Sequence, residues 1–164
     1  MSSEIKFNKD EDAATIYGMK VFKNIPSEIW TYFTQRELLD LWWAPEPWKC
    51  ETAELHFEPN GRWTYAMISP ENDKYFGNVR YHEINQGRSF DWTKSFTDEQ
   101  GNLNINLPSS NWLLGFTGVD EGTKLTINIH FKSPQEMKQL CEMGFEEEFK
   151  TRLNQLETLL NKKD

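Results

Sequence analysis

The chain has 164 residues, enough to bury a sizeable core and consistent with a single domain. Its formal net charge of -8 at pH 7 argues against nucleic acid and anionic membranes as partners, because both are themselves negatively charged. The sequence has no run of about 18 apolar residues, as a membrane span needs, and residues 1–12 lack the apolar segment of a secretion signal, so we expect no membrane partner and a cytoplasmic location.

The first part of the chain predicts one strand followed by two short helices. Residues 1–13 have no periodic pattern and are interpreted as a flexible lead-in to a single domain over residues 14–164. Residues 15–23 are rich in β-forming side chains and predict the first strand. Apolar residues at helical spacing predict short helices after Pro26 and over residues 35–43, because proline favours the first turn of a helix.

A loop rich in proline and tryptophan follows the second short helix, at residues 43–48. Pro45 and Pro47 each fix one backbone dihedral angle, which stiffens the loop. We expect Trp43 and Trp48 to form a lid at the mouth of a pocket. The alternative is that these exposed rings form a protein-binding patch.

From Cys50 onward, short segments of alternating apolar and polar residues predict a series of strands separated by turns. Asn60-Gly61 is typical of a tight hairpin turn. Residues 97–108 predict a loop or a ragged strand. The clearest alternation lies in residues 124–131, where one face is apolar and the other polar. Such a strand is typical of an antiparallel sheet that is covered on one side.

The last segment predicts a long amphipathic helix over residues 134–160, roughly 40 Å in length. Ser133 with a glutamate three residues later is the pattern of a capping box. Gly144 interrupts the helix, where glycine costs about 1 kcal/mol relative to alanine. The apolar stripe consists of Met137, Leu140, Cys141, Phe145, Phe149, Leu153, Leu156 and Leu160.

Two charged residues, Glu148 and Arg152, fall inside this apolar stripe on a helical wheel. They are four positions apart, so their side chains can pair. One interpretation is a structural ion pair whose long side chains reach the rim of the helix. The other is that the helix covers an internal cavity and the pair is its polar handle.

Together these elements predict an α+β protein with a helix-grip fold. A curved antiparallel sheet of about six or seven strands wraps around the long C-terminal helix, and the two short helices follow the first strand. A sheet that curls around a helix leaves a hollow between them. Aromatic residues make up 14% of the chain, more than an ordinary core needs, which favours a hollow lined by aromatic rings.

Six short motifs give the chain a resemblance to a known family. In chain order they are Pro26-Ser27-Glu28-Ile29-Trp30, Trp42-Trp43-Ala44-Pro45, Gly61-Arg62-Trp63, Gly77-Asn78-Val79, Glu121-Gly122-Thr123-Lys124-Leu125 and Met143-Gly144-Phe145. Together they resemble the START-like (SRPBCC) superfamily, and within it the branch of activator of heat-shock-protein-90 ATPase homologues, over about residues 19–160. The resemblance implies a hydrophobic ligand pocket between the sheet and the long helix.

The superfamily that the chain resembles includes lipid and polyketide binders, aromatase/cyclases and a chaperone-activating domain, so the fold alone does not decide the function. The chain also departs from the family pattern. Asn60 replaces the first glycine of the usual double glycine, and Phe145 replaces the tryptophan that usually follows the helix glycine. Glu148 and Arg152 lie on a helix face that is often apolar in relatives.

Patterns for metal, cofactor and nucleophilic chemistry are absent from the sequence. It has no HExxH, no Cys/His cluster, no GxSxG and no phosphate-binding or dinucleotide-binding glycine loop, so we expect no metal and no cofactor. Cys50 and Cys141 have no paired spacing and are predicted to be free thiols. The histidines fall at strand positions predicted to face water, and they are His56, His82 and His130.

We therefore predict a binding protein rather than an enzyme, with a small hydrophobic molecule as its partner and a monomer or a weak homodimer as its oligomeric state. The predicted ligand-binding residues are inward aromatic side chains and the charged pair. They are Trp63, Tyr65, Phe90, Trp92, Trp112, Phe145, Glu148, Phe149 and Arg152.

Two alternatives to this function stay open. One is a protein-interaction module that acts on a chaperone ATPase. The other is a cyclase-like or hydrolase-like enzyme that uses Glu148 or Arg152, because burial raises the pKa of a carboxyl group and suits it to act as a general acid.

Overall fold

The computed structural model describes residues 4–162, which form one eight-stranded antiparallel sheet and four helices. The strands are β1 (Lys6–Asp10), β2 (Thr15–Phe22), β3 (Lys49–Leu55), β4 (Arg62–Ile68), β5 (Lys74–Asn85), β6 (Ser89–Thr97), β7 (Ser110–Val119) and β8 (Gly122–Phe131). The helices are α1 (Pro26–Thr34), α2 (Arg36–Trp42), α3 (Pro134–Glu142) and α4 (Phe145–Asn161). The order across the sheet is β1-β2-β8-β7-β6-β5-β4-β3, so β3 to β8 form a meander and β2 pairs with its last strand.

This architecture confirms the predicted α+β helix-grip fold, with one strand more than the largest number expected. The extra strand, β1, lies within residues 1–13, which the sequence pattern had placed in a flexible lead-in, and it pairs with β2 from Lys6 opposite Met19 onward. Its side chains are mostly exposed, so the strand carries no apolar alternation to mark it. The two short helices therefore follow the second strand. Residues 1–3 of the lead-in and 163–164 of the predicted domain lie outside the described residues.

The long C-terminal helix is divided into two helices at Gly144. The first, α3, begins as predicted, because Ser133 Oγ accepts a hydrogen bond from the backbone N–H of Glu136 at 3.2 Å. Gly144 then adopts the left-handed conformation, with φ of 88°, and its N–H donates to the Cys141 carbonyl at 3.0 Å. Glycine takes this conformation without a steric penalty, so it can end one helix and begin the next. The single helix predicted over residues 134–160 is wrong at this point.

The interior between the sheet and α4 is packed with aromatic rings, and Trp43 lies at their centre. Its side chain is fully buried, and its ring centroid is 5.1 Å from that of Trp63, 5.9 Å from that of Trp92 and 6.1 Å from that of Phe149. These rings meet at steep angles, the edge-to-face arrangement that aromatic pairs favour. Much of the hollow expected between sheet and helix is therefore filled.

The loop after α2 is held against α4 by one side chain, Gln155. Its amide nitrogen donates to the carbonyl of Ala44 at 2.9 Å, and its amide oxygen accepts from the backbone N–H of Glu46 at 2.7 Å. These bonds satisfy backbone groups of the proline-rich loop and fix Trp43 beneath the helix. No helix within residues 4–162 combines the length and the apolar character needed to cross a membrane.

Candidate functional site

A cavity of about 420 Å³ remains between the inner face of the sheet and the two C-terminal helices. We call it the sheet–helix pocket. Its walls come from β4, β5, β6 and β7 on one side and from α3 and α4 on the other, with the proline-rich loop and residues 107–108 at its edges. Most of its lining is apolar, and the charged residues that reach it are Lys94, Glu148 and Arg152.

The sheet side of the pocket depends on Tyr65 lying across Gly77 of the neighbouring strand. These two residues are paired in the register of β4 and β5. A Cβ atom at position 77 would lie 2.5 Å from the Tyr65 ring and hydroxyl, so only glycine allows the ring to lie there. Tyr65 is buried, and desolvation raises the pKa of its hydroxyl well above the usual value.

Trp112 of β7 and Phe145 of α4 form a second aromatic wall. Their ring centroids are 5.8 Å apart at an interplanar angle of 89°, so an edge of one ring meets the face of the other. The indole N–H of Trp112 donates to Ser110 Oγ at 2.8 Å. Because this bond satisfies the one polar atom of the side chain, Trp112 offers the pocket an apolar surface.

Arg152 of α4 is the most deeply buried charge of the pocket, with a residue exposure of 7%. Its guanidinium carbon lies 5.4 Å from the ring centroid of Trp43, a cation–π contact. Its Nη2 lies 3.8 Å from Met67 Sδ and 3.9 Å from an oxygen of Glu148, and its Nε has no hydrogen-bond partner. Burial lowers the pKa of Arg152, although it remains a cation at neutral pH.

Glu148 is the anionic member of the pair, and it reaches solvent. Its side chain is 53% exposed, whereas that of Arg152 is 8% exposed. The separation of 3.9 Å is too long for a hydrogen bond, so the pair is a loose one. The general-acid interpretation requires a desolvated carboxyl group, and the exposed side chain of Glu148 does not provide one.

Lys94 of β6 is the second cation of the pocket. Its Nζ lies 4.6 Å from the ring centroid of Phe96. Burial, and then repulsion from Arg152, lower the pKa of Lys94 from 10.5 to about 7, and the charge of Glu148 opposes this shift. A lysine with such a pKa changes its charge within the physiological range.

The structure divides the predicted ligand-binding residues into two groups. Those that line the pocket are Tyr65, Trp112, Phe145, Glu148 and Arg152, with Trp48 at its edge. Those that lie in the filled core, each with at most 1% exposure, are Trp63, Phe90, Trp92 and Phe149.

Trp43 does not lie at the mouth of the pocket, which corrects the expectation that it forms a lid. It follows α2 directly, and the bonds of Gln155 to the adjacent loop draw it inward, where it is fully buried. Trp48 is half-buried and stacks obliquely on Tyr75, with ring centroids 5.4 Å apart. Of the two predicted lid residues, the structure therefore places only Trp48 at the opening.

Sequence analysis missed Lys94 as a pocket residue. The signal for it was present, because Phe90 and Trp92 point inward and the two-residue period of a strand continues that face through positions 94 and 96. A lysine within an inward aromatic register is unusual unless it meets a solvent-filled space or a partner. Met67 continues the register of Trp63 and Tyr65 into the pocket in the same way.

The other chemistry-bearing residues do not line the pocket, although Cys50 of β3 is paired with Met67 and affects the pKa of Arg152. His56, His82 and His130 are exposed, as their strand positions predicted. Cys50 and Cys141 are free cysteines, and burial raises the pKa of both thiols. Within residues 4–162, no group of three or more His, Cys, Asp or Glu side chains is arranged to hold a metal ion.

Comparison with known proteins supports the same architecture. Residues 24–161 match the family model described as Activator of Hsp90 ATPase homolog 1-like protein. No curated protein matches the sequence.

Three solved structures illustrate the similarity of fold. A crystal structure of a protein from Mycobacterium smegmatis is 28% identical, with a TM-score of 0.87 over 94% of this chain and 95% of that one. A solution NMR structure of a protein from Arthrobacter aurescens is 23% identical, with a TM-score of 0.90 over 96% of this chain and 91% of that one. A crystal structure of the AHSA1 protein from Silicibacter pomeroyi is 18% identical, with a TM-score of 0.75 over 92% of this chain and 100% of that one.

Proposed function

The chain belongs to the family of Activator of Hsp90 ATPase homolog 1-like proteins, and on that premise we propose that it binds a small hydrophobic molecule in the sheet–helix pocket. The observation that supports this function is a cavity of about 420 Å³ with mainly apolar walls, beside an interior otherwise filled by aromatic rings. Ligand sites commonly have volumes of about 300–1,000 Å³, apolar walls and a few polar groups. The pocket has each of these properties.

The residues that we propose for binding are those of the predicted set that line the pocket. Tyr65, Trp112 and Phe145 supply flat apolar surfaces on which a ring or a hydrocarbon chain can pack. Trp48 lies at the edge, where it would cover part of a bound molecule. Burying apolar ligand surface there is favourable by roughly 25 cal/mol per Å².

The proposal is tested by filling the pocket and measuring what the protein still binds. Leu107 lines the pocket from a half-buried loop position, whereas Leu113 is 47% exposed on β7 and does not line it. Native mass spectrometry of the purified protein and thermal unfolding with a library of hydrophobic probes measure binding. We expect a probe to raise the melting temperature of the wild type and of Leu113→Trp, and to have no effect on Leu107→Trp. Equal shifts in all three proteins, or none in the wild type, contradict a ligand in this pocket.

A second candidate function is interaction with a chaperone ATPase, which the description of the family names. Leu103 and Ile105, in the connection between β6 and β7, are 55% and 85% exposed, and such side chains can be buried by a partner protein. The test is the ATPase rate of Hsp90 with and without this protein. Stimulation that Ile105→Ser removes and Leu107→Trp retains would favour this function, and an unchanged rate would exclude it.

A further inference from the structure

Two cations line the otherwise apolar sheet–helix pocket, and one exposed carboxylate partly balances them. Arg152 and Lys94 carry the positive charges, and Glu148 carries the negative one. The other titratable groups of the lining are the hydroxyls of Tyr65 and Tyr75. With Lys94 protonated, the pocket therefore has one positive charge in excess.

The hydrogen-bonding capacity of Arg152 is largely unused. Its guanidinium has five N–H donors, yet its Nε has no partner and its Nη2 makes only long contacts with Met67 and Glu148. A buried charged donor without a partner is strongly unfavourable, which is why buried arginines usually pair with an anion. The planar fork of a guanidinium matches the two oxygens of a carboxylate.

Lys94, in the same pocket, also lacks a close anionic partner. Among the described residues, its Nζ contacts the face of the Phe96 ring and makes no salt bridge. Burial and then Arg152 lower the pKa of Lys94, and the charge of Glu148 opposes this shift only in part. A ligand anion that reaches both cations would give Arg152 a hydrogen-bond acceptor and Lys94 a salt bridge.

We propose that the pocket binds amphipathic carboxylates, with the carboxylate held by Arg152 and Lys94 and the apolar body packed against Tyr65, Trp112 and Phe145. This inference rests on the proposed function and adds the chemical class of the ligand. A single negative charge matches the excess of one positive charge in the pocket. An apolar ligand that has no acceptor group leaves Arg152 Nε without a hydrogen-bond partner.

The pH dependence of binding follows from the same groups. A carboxylate ligand stays ionised above about pH 6. Burial and Arg152 lower the pKa of Lys94 to about 7 in the empty pocket, and a bound anion raises it again. Affinity for a carboxylate is therefore nearly constant between about pH 6 and pH 7 and falls as the pH rises further.

The experiment compares decanoate, decanol and decylamine by isothermal titration calorimetry, at about pH 6 and about pH 9 and below their micelle-forming concentrations. At about pH 6, we expect decanoate to bind about 10- to 100-fold more tightly than decanol, because charge-assisted hydrogen bonds are added to the same apolar contact. We expect decylamine to bind more weakly than decanol. The preference for decanoate should shrink at about pH 9.

Three variants locate the effect. Lys94→Met should weaken the binding of decanoate about tenfold and remove its pH dependence. The same variant should bind decanol with unchanged or higher affinity. Glu148→Gln should strengthen the binding of decanoate, because it removes an anion that competes with the ligand for Arg152 and Lys94. Arg80→Met, at an exposed position on β5 outside the pocket, makes the same change in net charge as Lys94→Met and should leave all affinities unchanged. Because Arg152 also packs on Trp43, the decisive variants are those of Lys94 and Glu148.

The outcomes separate this inference from the proposed function. If decanol and decanoate bind equally and Leu107→Trp abolishes both, the pocket binds apolar molecules and the carboxylate preference is wrong. If decanoate is preferred but Arg80→Met weakens it as much as Lys94→Met, the preference arises from overall charge and the inference is again wrong. If none of the three compounds binds and the probe library also fails, both the inference and the proposed function are refuted.

Discussion

The sharpest consequence of the pocket concerns the protein without a ligand, because an unpaired lysine should weaken the fold. Lys94 has a pKa of about 7 in the folded protein, against its ordinary value of 10.5. At about 1.36 kcal/mol for each pH unit, this difference corresponds to a destabilisation of about 5 kcal/mol when the lysine is charged. The pocket is partly open, so solvent screens the charge, and we expect about 2 kcal/mol of it to be measurable.

The sign of the pH dependence follows from proton binding. Between the lowered pKa of Lys94 in the folded protein and its ordinary value of 10.5, the unfolded chain holds a proton on Lys94 that the folded protein has released, so the stability of the wild type rises with pH across this window. Methionine has no such proton. Lys94→Met should therefore be more stable than the wild type by about 2 kcal/mol at about pH 6, and the difference should vanish by about pH 10.

The assay is urea unfolding at about pH 6, 8 and 10 for the wild type, Lys94→Met and the surface control Arg80→Met. Other titrating groups are common to the three proteins and cancel in the differences. Lys94→Met could instead be less stable than the wild type at about pH 6, or its gain in stability could be independent of pH. Either result would show that the charge of Lys94 does not destabilise the folded protein. Lys94 would then give the pocket no energetic preference for an anionic ligand.

Two further predictions concern the residues that the structure placed differently from the sequence analysis. Trp43→Ala should lower the free energy of unfolding by about 3–5 kcal/mol, as for a core tryptophan, whereas Trp48→Ala at the pocket edge should lower it by about 1 kcal/mol or less. If urea unfolding shows similar small losses for both variants, Trp43 is a lid residue and not a core residue. Gly144→Ala should lower the free energy of unfolding by about 1–2 kcal/mol because of the left-handed backbone, although nothing lies within 4 Å of the added Cβ, whereas in a continuous helix the same change would stabilise the protein.

The parts of the fold that sequence analysis predicted correctly are those fixed by local chemistry or by a buried face. Ser133 caps a helix because its oxygen meets an amide three residues away. Strand β8 was evident because one of its faces is buried along its whole length. Strand β1 was not predicted, since backbone hydrogen bonds to β2 hold it and its side chains are mostly exposed. The break at Gly144 was also hidden, because the apolar spacing continues through it.

The candidate site was harder to predict than the fold, because periodicity tells which face a residue occupies and not how far another element covers it. Trp92 and Lys94 share one face of β6, yet Trp92 lies under the packed core and Lys94 lies at the pocket. The boundary between them depends on where the loop after α2 is inserted. That insertion rests on contacts with Gln155, which is more than 100 residues away along the chain.

Trp43 connects the filled and the open parts of the interior. On one side its ring packs on Trp63 and Trp92, and on the other it supports the guanidinium of Arg152. The residue that removes most of the expected hollow thus also holds the buried cation at the edge of the part that remains. Because the cation–π contact needs this ring and gives the guanidinium no hydrogen-bond acceptor, the same packing that stabilises the core leaves Arg152 with donors available for an anion.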